Sequence, residues 1–233
     1  MENHSFVKKM IGGLEFMETP GNDEDPIIIL LHGYGANAND LTFFPDYCHF
    51  KDVKPTWIFP RGIEPVQGFS EGRAWFPLSI SQLLTDEYQH SDKKLSELFP
   101  EELFIKPTEA IKNLVEDLNL PHERTFLGGF SQGAMISTDV ILSSHHQFPG
   151  LFVLSGTLVK ETKWRQYAMT KKKLSIIQTH GTRDDILPWK AAKKLSEVLQ
   201  GPGITSEFIS FDGGHEIPGI LFNKFVSVID SGN

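Results

Sequence analysis

The stretch LGGFSQGAM, residues 127–135, sets Ser131 midway between Gly129 and Gly133. Before it, RTFLGG reads as a short apolar strand, and after it QGAMISTDVIL reads as a helix. A strand that turns this abruptly into a helix forces its apex residue into strained dihedrals. It also brings the positions two before and two after close together, where glycine is favoured. The serine hydroxyl is then lifted above the edge of the sheet, and the N–H of Gln132 opens the positive end of the helix.

Working outward, further β-like runs end in glycine or serine. FVKKM and LEFME, joined by Gly12-Gly13, predict a hairpin, and PIIILLHG is aliphatic enough to be buried on both faces. TWIFPRG, GLFVLSG, LSIIQTHG and ITSEFISFDGG follow as strands. Between them, Ala110, Ile111, Leu114, Val115 and Leu118 recur at helical spacing. So do Trp189, Ala192, Leu195 and Leu199, with Pro188 at the start and Gly201-Pro202-Gly203 as the stop, and so do Ile217, Leu221, Phe225 and Val228. Such alternation predicts an α/β fold, a mostly parallel central sheet with helices on both faces and ligands beyond the carboxyl ends of the strands. The stretch 78–107 mixes apolar pairs with dense charge and is expected to be a small cap or lid excursion within a single domain spanning 1–233.

Composition narrows the function. With 39% hydrophobic residues, the 233-residue chain can bury a full core, and its formal net charge of -8 leaves no broad cationic surface for nucleic acid or anionic lipid. A single cysteine, Cys48, excludes an intrachain disulfide framework and any multi-cysteine zinc site. No apolar run reaches membrane-spanning length and the N-terminus lacks a signal-peptide pattern, so the expected location is cytoplasmic. Apolar surface around the cap could support a homodimer.

A serine hydroxyl needs a base, and the base needs a third group to fix its tautomer. On a parallel sheet both should follow Ser131 in the chain, acid before histidine, each on a loop after a strand. Asp184, after LSIIQTHGTR, and His215, after ITSEFISFDGG, stand in those places. Asp185 reads as a solvated neighbour, and Asp212 shares the loop of His215, too near to orient it from the far side. A second oxyanion donor should come from the loop after an early strand. In LLHGYGANAND, Gly33 and Gly35 let the backbone curl toward Ser131 and make the N–H of Tyr34 the partner of that of Gln132. His32 reads as a structural imidazole, since no second ligand stands at metal spacing.

Taken together, LHGYGANANDL, GRAWF, LGGFSQGA, THGTRDDILP and GGH resemble the carboxylesterase and phospholipase family of α/β-hydrolases, which includes acyl-protein thioesterases and lysophospholipases. The resemblance runs from Ile27 onward. It implies an α/β-hydrolase fold, a small-molecule ester or acyl-chain substrate, Ser131, Asp184 and His215 as triad, Tyr34 and Gln132 as oxyanion donors, and no metal or organic cofactor. It also implies that Trp75 and Phe76, which the residues alone would equally allow as core aromatics, flank a substrate groove. Arg73 is expected to pair with a surface carboxylate. Tyr34 stands where the family more often has leucine and Asp185 where proline is common. A ligand-binding member of the fold without turnover is the alternative.

Overall fold

The computed structural model describes residues 4–85 and 98–231. Gly12-Gly13 turns strand β1 (Val7–Ile11) into β2 (Leu14–Thr19) as an antiparallel hairpin. The aliphatic run that follows is β3 (Ile27–Leu31), and every one of its residues is buried. After it come helix α1 (Phe44–Tyr47), β4 (Thr56–Pro60), a separate hairpin of β5 (Glu64–Val66) and β6 (Phe69–Ala74), α2 (Ile80–Leu83) and α3 (Glu102–Asp117). The second half alternates: β7 (Thr125–Phe130), α4 (Gln132–Ser143), β8 (Gly150–Leu154), α5 (Glu161–Ala168), β9 (Leu174–Gly181), α6 (Trp189–Val198), β10 (Ile204–Phe211) and α7 (Ile220–Ser231).

Eight strands form one sheet in the order β1-β2-β4-β3-β7-β8-β9-β10. β1, β2 and β4 pair antiparallel, and all pairings from β4 to β10 are parallel. Strand alternation divides the core in two. Ile27, Ile29 and Leu31 join Leu127, Leu151 and Val153 under residues of α3, α4, α5 and α6, among them Ile111, Ile136, Trp164 and Leu195. Ile28 and Leu30 face the other way, with Phe126, Phe152 and Ile177, beneath Phe44 of α1 and Leu221, Phe225 and Ile229 of α7. A strand covered on both faces has no polar side, which is why IIILL lacks alternation.

The stretch 78–107, expected as a cap or lid excursion, is described only in part. Residues 86–97 of it lie outside the described residues, and its last six belong to α3, which begins at Glu102 and runs through Pro107. An interior proline costs a helix about 3 kcal/mol. Here Phe104, Pro107, Thr108, Ile111, Leu114 and Val115 make one buried stripe, and packing that stripe outweighs the missing N–H. On the face against α4, the Asp139 carboxylate accepts hydrogen bonds from Thr108 Oγ1 (2.9 Å), Lys160 Nζ (2.9 Å) and Trp164 Nε1 (2.8 Å), tying α3, α4 and the start of α5 together.

Candidate active site

Ser131 stands between the last residue of β7 and the first of α4, with φ 54° and ψ -116°. A Cβ on Gly129 would lie 2.5 Å from the carbonyl carbon of Gly133, and one on Gly133 only 2.1 Å from the Leu31 oxygen. Both contacts are with backbone that cannot move aside, so the two glycines are what allow the turn. Ser131 N–H donates to the Leu154 carbonyl at 2.8 Å, pinning the apex to the neighbouring strand. As the first residue of α4, Gln132 has an N–H with no intrahelical acceptor, pointing out of the helix start beside the serine.

The loop after β3 passes over this apex. A Cβ on Gly33 would sit 3.4 Å from Ser131 Cβ. Gly35 N–H donates to the Arg73 carbonyl (2.9 Å) and Arg73 N–H to the Ala36 carbonyl (2.7 Å), and the Tyr34 N–H takes part in neither bond. His32 is the structural imidazole that the sequence suggests: Nδ1–H donates to the Gly33 carbonyl (2.7 Å), while Nε2 accepts from Gly62 N–H (2.9 Å). Burial, with help from Arg61 and Arg73, lowers its pKa to about 4, so both bonds hold with the ring neutral.

Asp184 and His215 meet on the far side of β8. His215 Nδ1 donates to Asp184 Oδ2 at 2.7 Å. The other carboxylate oxygen, Oδ1, accepts from the N–H groups of Ile186 (2.9 Å) and Leu187 (2.8 Å). His180 Nε2 adds a contact to Oδ2 at 3.2 Å. Burial alone would raise this carboxyl's pKa, but the hydrogen bonds from His180 and His215, the electrostatic attraction of the His215 ring and the Leu187 N–H hold it well below the usual carboxylate range. The rivals are elsewhere: Asp185 is exposed, and Asp212 pairs with Arg183 at 3.2 Å.

The loop that carries His215 crosses the end of β9 at Gly181, where a Cβ would lie 2.2 Å from the Gly214 oxygen. It then turns back toward the serine, bringing the His215 ring to 4.8 Å from that of Phe130, the residue before Ser131. Ser155, at the end of β8, donates through Oγ to the Glu216 carbonyl at 3.0 Å.

Trp75 and Phe76 do not flank a groove. Their side chains are 0% and 1% exposed and belong to the core beneath the site. What they contribute is anchoring: Trp75 Nε1 donates to the His32 carbonyl (2.9 Å), and the backbone of both residues holds the Gln132 side chain. Gln132 Oε1 accepts from Trp75 N–H at 2.8 Å, and Nε2 donates to the Phe76 carbonyl at 2.8 Å. Arg73 Nε donates to the Gly62 carbonyl at 3.0 Å, and among the described residues no carboxylate pairs with it. Sequence reasoning missed the roles of the Gln132 side chain, Ser155 and His180. Only His180 left a signal, four residues before Asp184 at the end of a strand.

Residues 13–231 match the family model described as phospholipase/carboxylesterase. Among curated proteins, the chain is 26% identical over 214 residues to acyl-protein thioesterase 1 of Eremothecium gossypii, covering 86% of this chain and 85% of that one. It is 34% identical over 124 residues to acyl-protein thioesterase 1 homolog 1 of Dictyostelium discoideum, covering 50% and 54%. Among solved structures, esterase PE8 superposes with a TM-score of 0.75 at 22% identity, over 93% of this chain and 97% of that one, a likeness of fold. By these matches and its fold, the chain belongs to the phospholipase/carboxylesterase family of α/β-hydrolases.

Proposed function

We propose that this hydrolase cleaves carboxylic esters or thioesters by two-step acyl transfer through Ser131, His215 and Asp184. The observation that carries the reading is the 2.7 Å bond from His215 Nδ1 to a buried, ionised Asp184, with the His215 ring 4.8 Å from that of Phe130, the residue before Ser131. With its Nδ1 proton held there, the imidazole keeps Nε2 free to accept the serine proton. Ser131 Oγ attacks the acyl carbonyl and its proton passes to Nε2. The N–H groups of Gln132 and Tyr34 take up the oxyanion, and the imidazolium returns the proton to the leaving alcohol or thiol. Water then attacks the acyl-serine, giving its proton to the same nitrogen, and the acid departs as the serine oxygen is reprotonated.

With Trp75 and Phe76 in the core, the acyl chain needs another wall. Phe69 is 64% exposed, and Gly72 is wedged between its Cβ and the Gly35 carbonyl, so it stands beside the Tyr34 loop. The names of the thioesterase relatives add weight to an acyl thioester as substrate. A cytoplasmic setting fits the single, buried Cys48, whose pKa burial pushes up to about 12. Among the described residues no helix is long and apolar enough to cross a membrane.

The test pairs labelling with turnover. A fluorophosphonate should label wild-type protein and not Ser131→Ala, and kcat/KM should rise along p-nitrophenyl esters and acyl thioesters of increasing chain length. Folded wild-type protein left unlabelled would favour a ligand-binding member of the fold without turnover.

A further inference from the structure

Away from the triad, the opposite end of the sheet carries a second cluster of chemically capable side chains. Glu116 lies in the last turn of α3, His122 in the 3-10 turn His122–Arg124 that leads into β7, and His146 in the connection that leads into β8. His122 Nε2 is 3.2 Å and His146 Nε2 3.6 Å from the same oxygen, Glu116 Oε1. The two imidazoles are face to face, with ring centres 3.8 Å apart and planes 10° from parallel, and the buried Phe148 closes edge-on against His122 at 5.1 Å.

We infer that Glu116, His122 and His146 form a binding site for a borderline-soft divalent metal ion of the zinc type, independent of catalysis. Two imidazole nitrogens and a carboxylate oxygen are a donor set that zinc takes, with bonds of about 2.0–2.2 Å and hence ligand atoms about 3.3 Å apart along a tetrahedron's edge. The two measured separations from Glu116 bracket that spacing, and all three ligand atoms lie within 4.8 Å of one another.

The surroundings suit a moderate site. The ligands border a recess of about 320 Å³, open to solvent on one side, which leaves room for a water as fourth ligand. One cation, Lys112, lines the same recess, but its Nζ pairs with Glu109 at 3.3 Å. His122 is the most protected of the three, with Glu116 and His146 more than half exposed, so the His146 ring is free to turn out of the stack and bring its in-plane Nε2 lone pair onto the same point as that of His122, as coordination of one ion requires. A bound ion would clip the end of α3 to the connection between α4 and β8. Since the cluster stands before the amino ends of β7 and β8 and Ser131 follows the carboxyl end of β7, roughly 20 Å of strand separates the two sites.

Calorimetric titration of the full chain with zinc chloride tests this. We expect saturable binding of one ion, weakened at least about tenfold in His122→Ala and in His146→Ala and reduced in Glu116→Gln. His145→Ala, a neighbour outside the donor set, should bind as wild type. Zinc should also raise the Tm of wild-type protein and not that of the two histidine variants, a readout that does not depend on turnover. An absence of saturable binding in the wild type, equal affinity in all the variants, or loss of binding in His145→Ala alone would overturn the site.

Discussion

Replacing Gln132 by glutamate changes one atom's chemistry and nothing of its shape, and the structure says what that change should cost. Gln132 is 1% exposed, and its amide joins two backbone groups, accepting from Trp75 N–H and donating to the Phe76 carbonyl, both at 2.8 Å. In Gln132→Glu the acceptor survives, but the second carboxylate oxygen faces a carbonyl oxygen at contact distance with no proton between them. Leaving one buried group unsatisfied costs about 1–3 kcal/mol, and burying a charge beside it adds more, so about 3 kcal/mol at neutral pH is expected. For a domain of this size that is a fall in Tm of about 6–12 °C. Protonation repairs the contact, because a carboxylic acid can donate to the Phe76 oxygen. The folded-state pKa of the new carboxyl is therefore raised above its unfolded value of about 4.3. The variant's deficit should be small below about pH 4 and grow as pH rises toward the folded pKa, then level off. Circular dichroism melts of wild type and variant from pH 3.5 to 8 measure the difference directly. A gap under about 2 °C at pH 8, or one that does not change with pH, would refute the reasoning. Since the Gln132 N–H is the proposed oxyanion donor, turnover should drop along with stability, by at most the roughly 10²–10³ that losing one such donor costs.

Four further outcomes follow from the same geometry. Ser131→Ala should lower kcat by roughly a millionfold and Asp184→Asn by about 10⁴, as in serine proteases, with Tm little changed in the former; residual turnover near wild type in either would remove that residue from the mechanism. Phe69→Ala should raise KM for long acyl chains and leave short esters unaffected, and an equal effect on both would deny it a place at the acyl chain. Asp139→Ala should destabilise by about 3 kcal/mol in urea titrations, because it strands the half-buried Lys160 ammonium along with Thr108 and Trp164. His32, with a folded pKa lowered from 6.5 to about 4, binds its proton more weakly than in the unfolded chain. Its contribution is therefore whole above about pH 6.5 and lost as pH falls toward 4, roughly 3 kcal/mol in all, and His32→Gln should flatten that limb of the stability curve.

Much of this fold can be read from the sequence, because its strands are apolar runs of near-minimal length stopped by glycine or serine. IIILL reads as a strand buried on both faces and TFLGGF and GLFVL as strands, and all three stand as strands in the sheet. Among the elements that escaped, two did so for different physical reasons. EPVQGFSEGRA has few apolar residues, and its β5–β6 hairpin rests on the Gln67-Gly68 turn and on contact with the Tyr34 loop, which no local pattern records. Helix α5 has only Trp164 and Ala168 buried, too few to show a period. At the proposed site, spacing picked out three residues that follow strands, Ser131, Asp184 and His215, and the last two meet in the fold. It misread Trp75 and Phe76, because an aromatic next to an active-site loop looks the same in sequence whether it faces ligand or core. It could not see Gln132 at work, since that side chain's partners are backbone groups more than fifty residues away.

The arrangement of β7, β8 and β9 explains why, in the proposed triad, a strand that carries none of its residues stands between two that each carry one. Adjacent strands lie about 4.8 Å apart, so the backbones of β7 and β9 are separated by about 9.5 Å. An imidazole with a hydrogen bond at each nitrogen spans about 7 Å from acceptor to donor oxygen. The side chains of Ser131 and Asp184 can make up the rest, whereas on neighbouring strands the imidazole would not fit between them. β8 thus acts as a spacer, and its end is built for the purpose. Ser155, buried and with φ 48°, donates its N–H to the Thr179 carbonyl (2.9 Å) on β9, while the preceding Leu154 carbonyl accepts the Ser131 N–H. Its Oγ holds the carbonyl of Glu216, next to His215. A left-handed non-glycine residue costs about 1–3 kcal/mol, and Ser131 and Ser155 incur it at adjacent strand ends. Both strained residues are fixed by the same extension of the ladder, so a displacement of β8 carries the serine and the histidine loop together and leaves their separation unchanged.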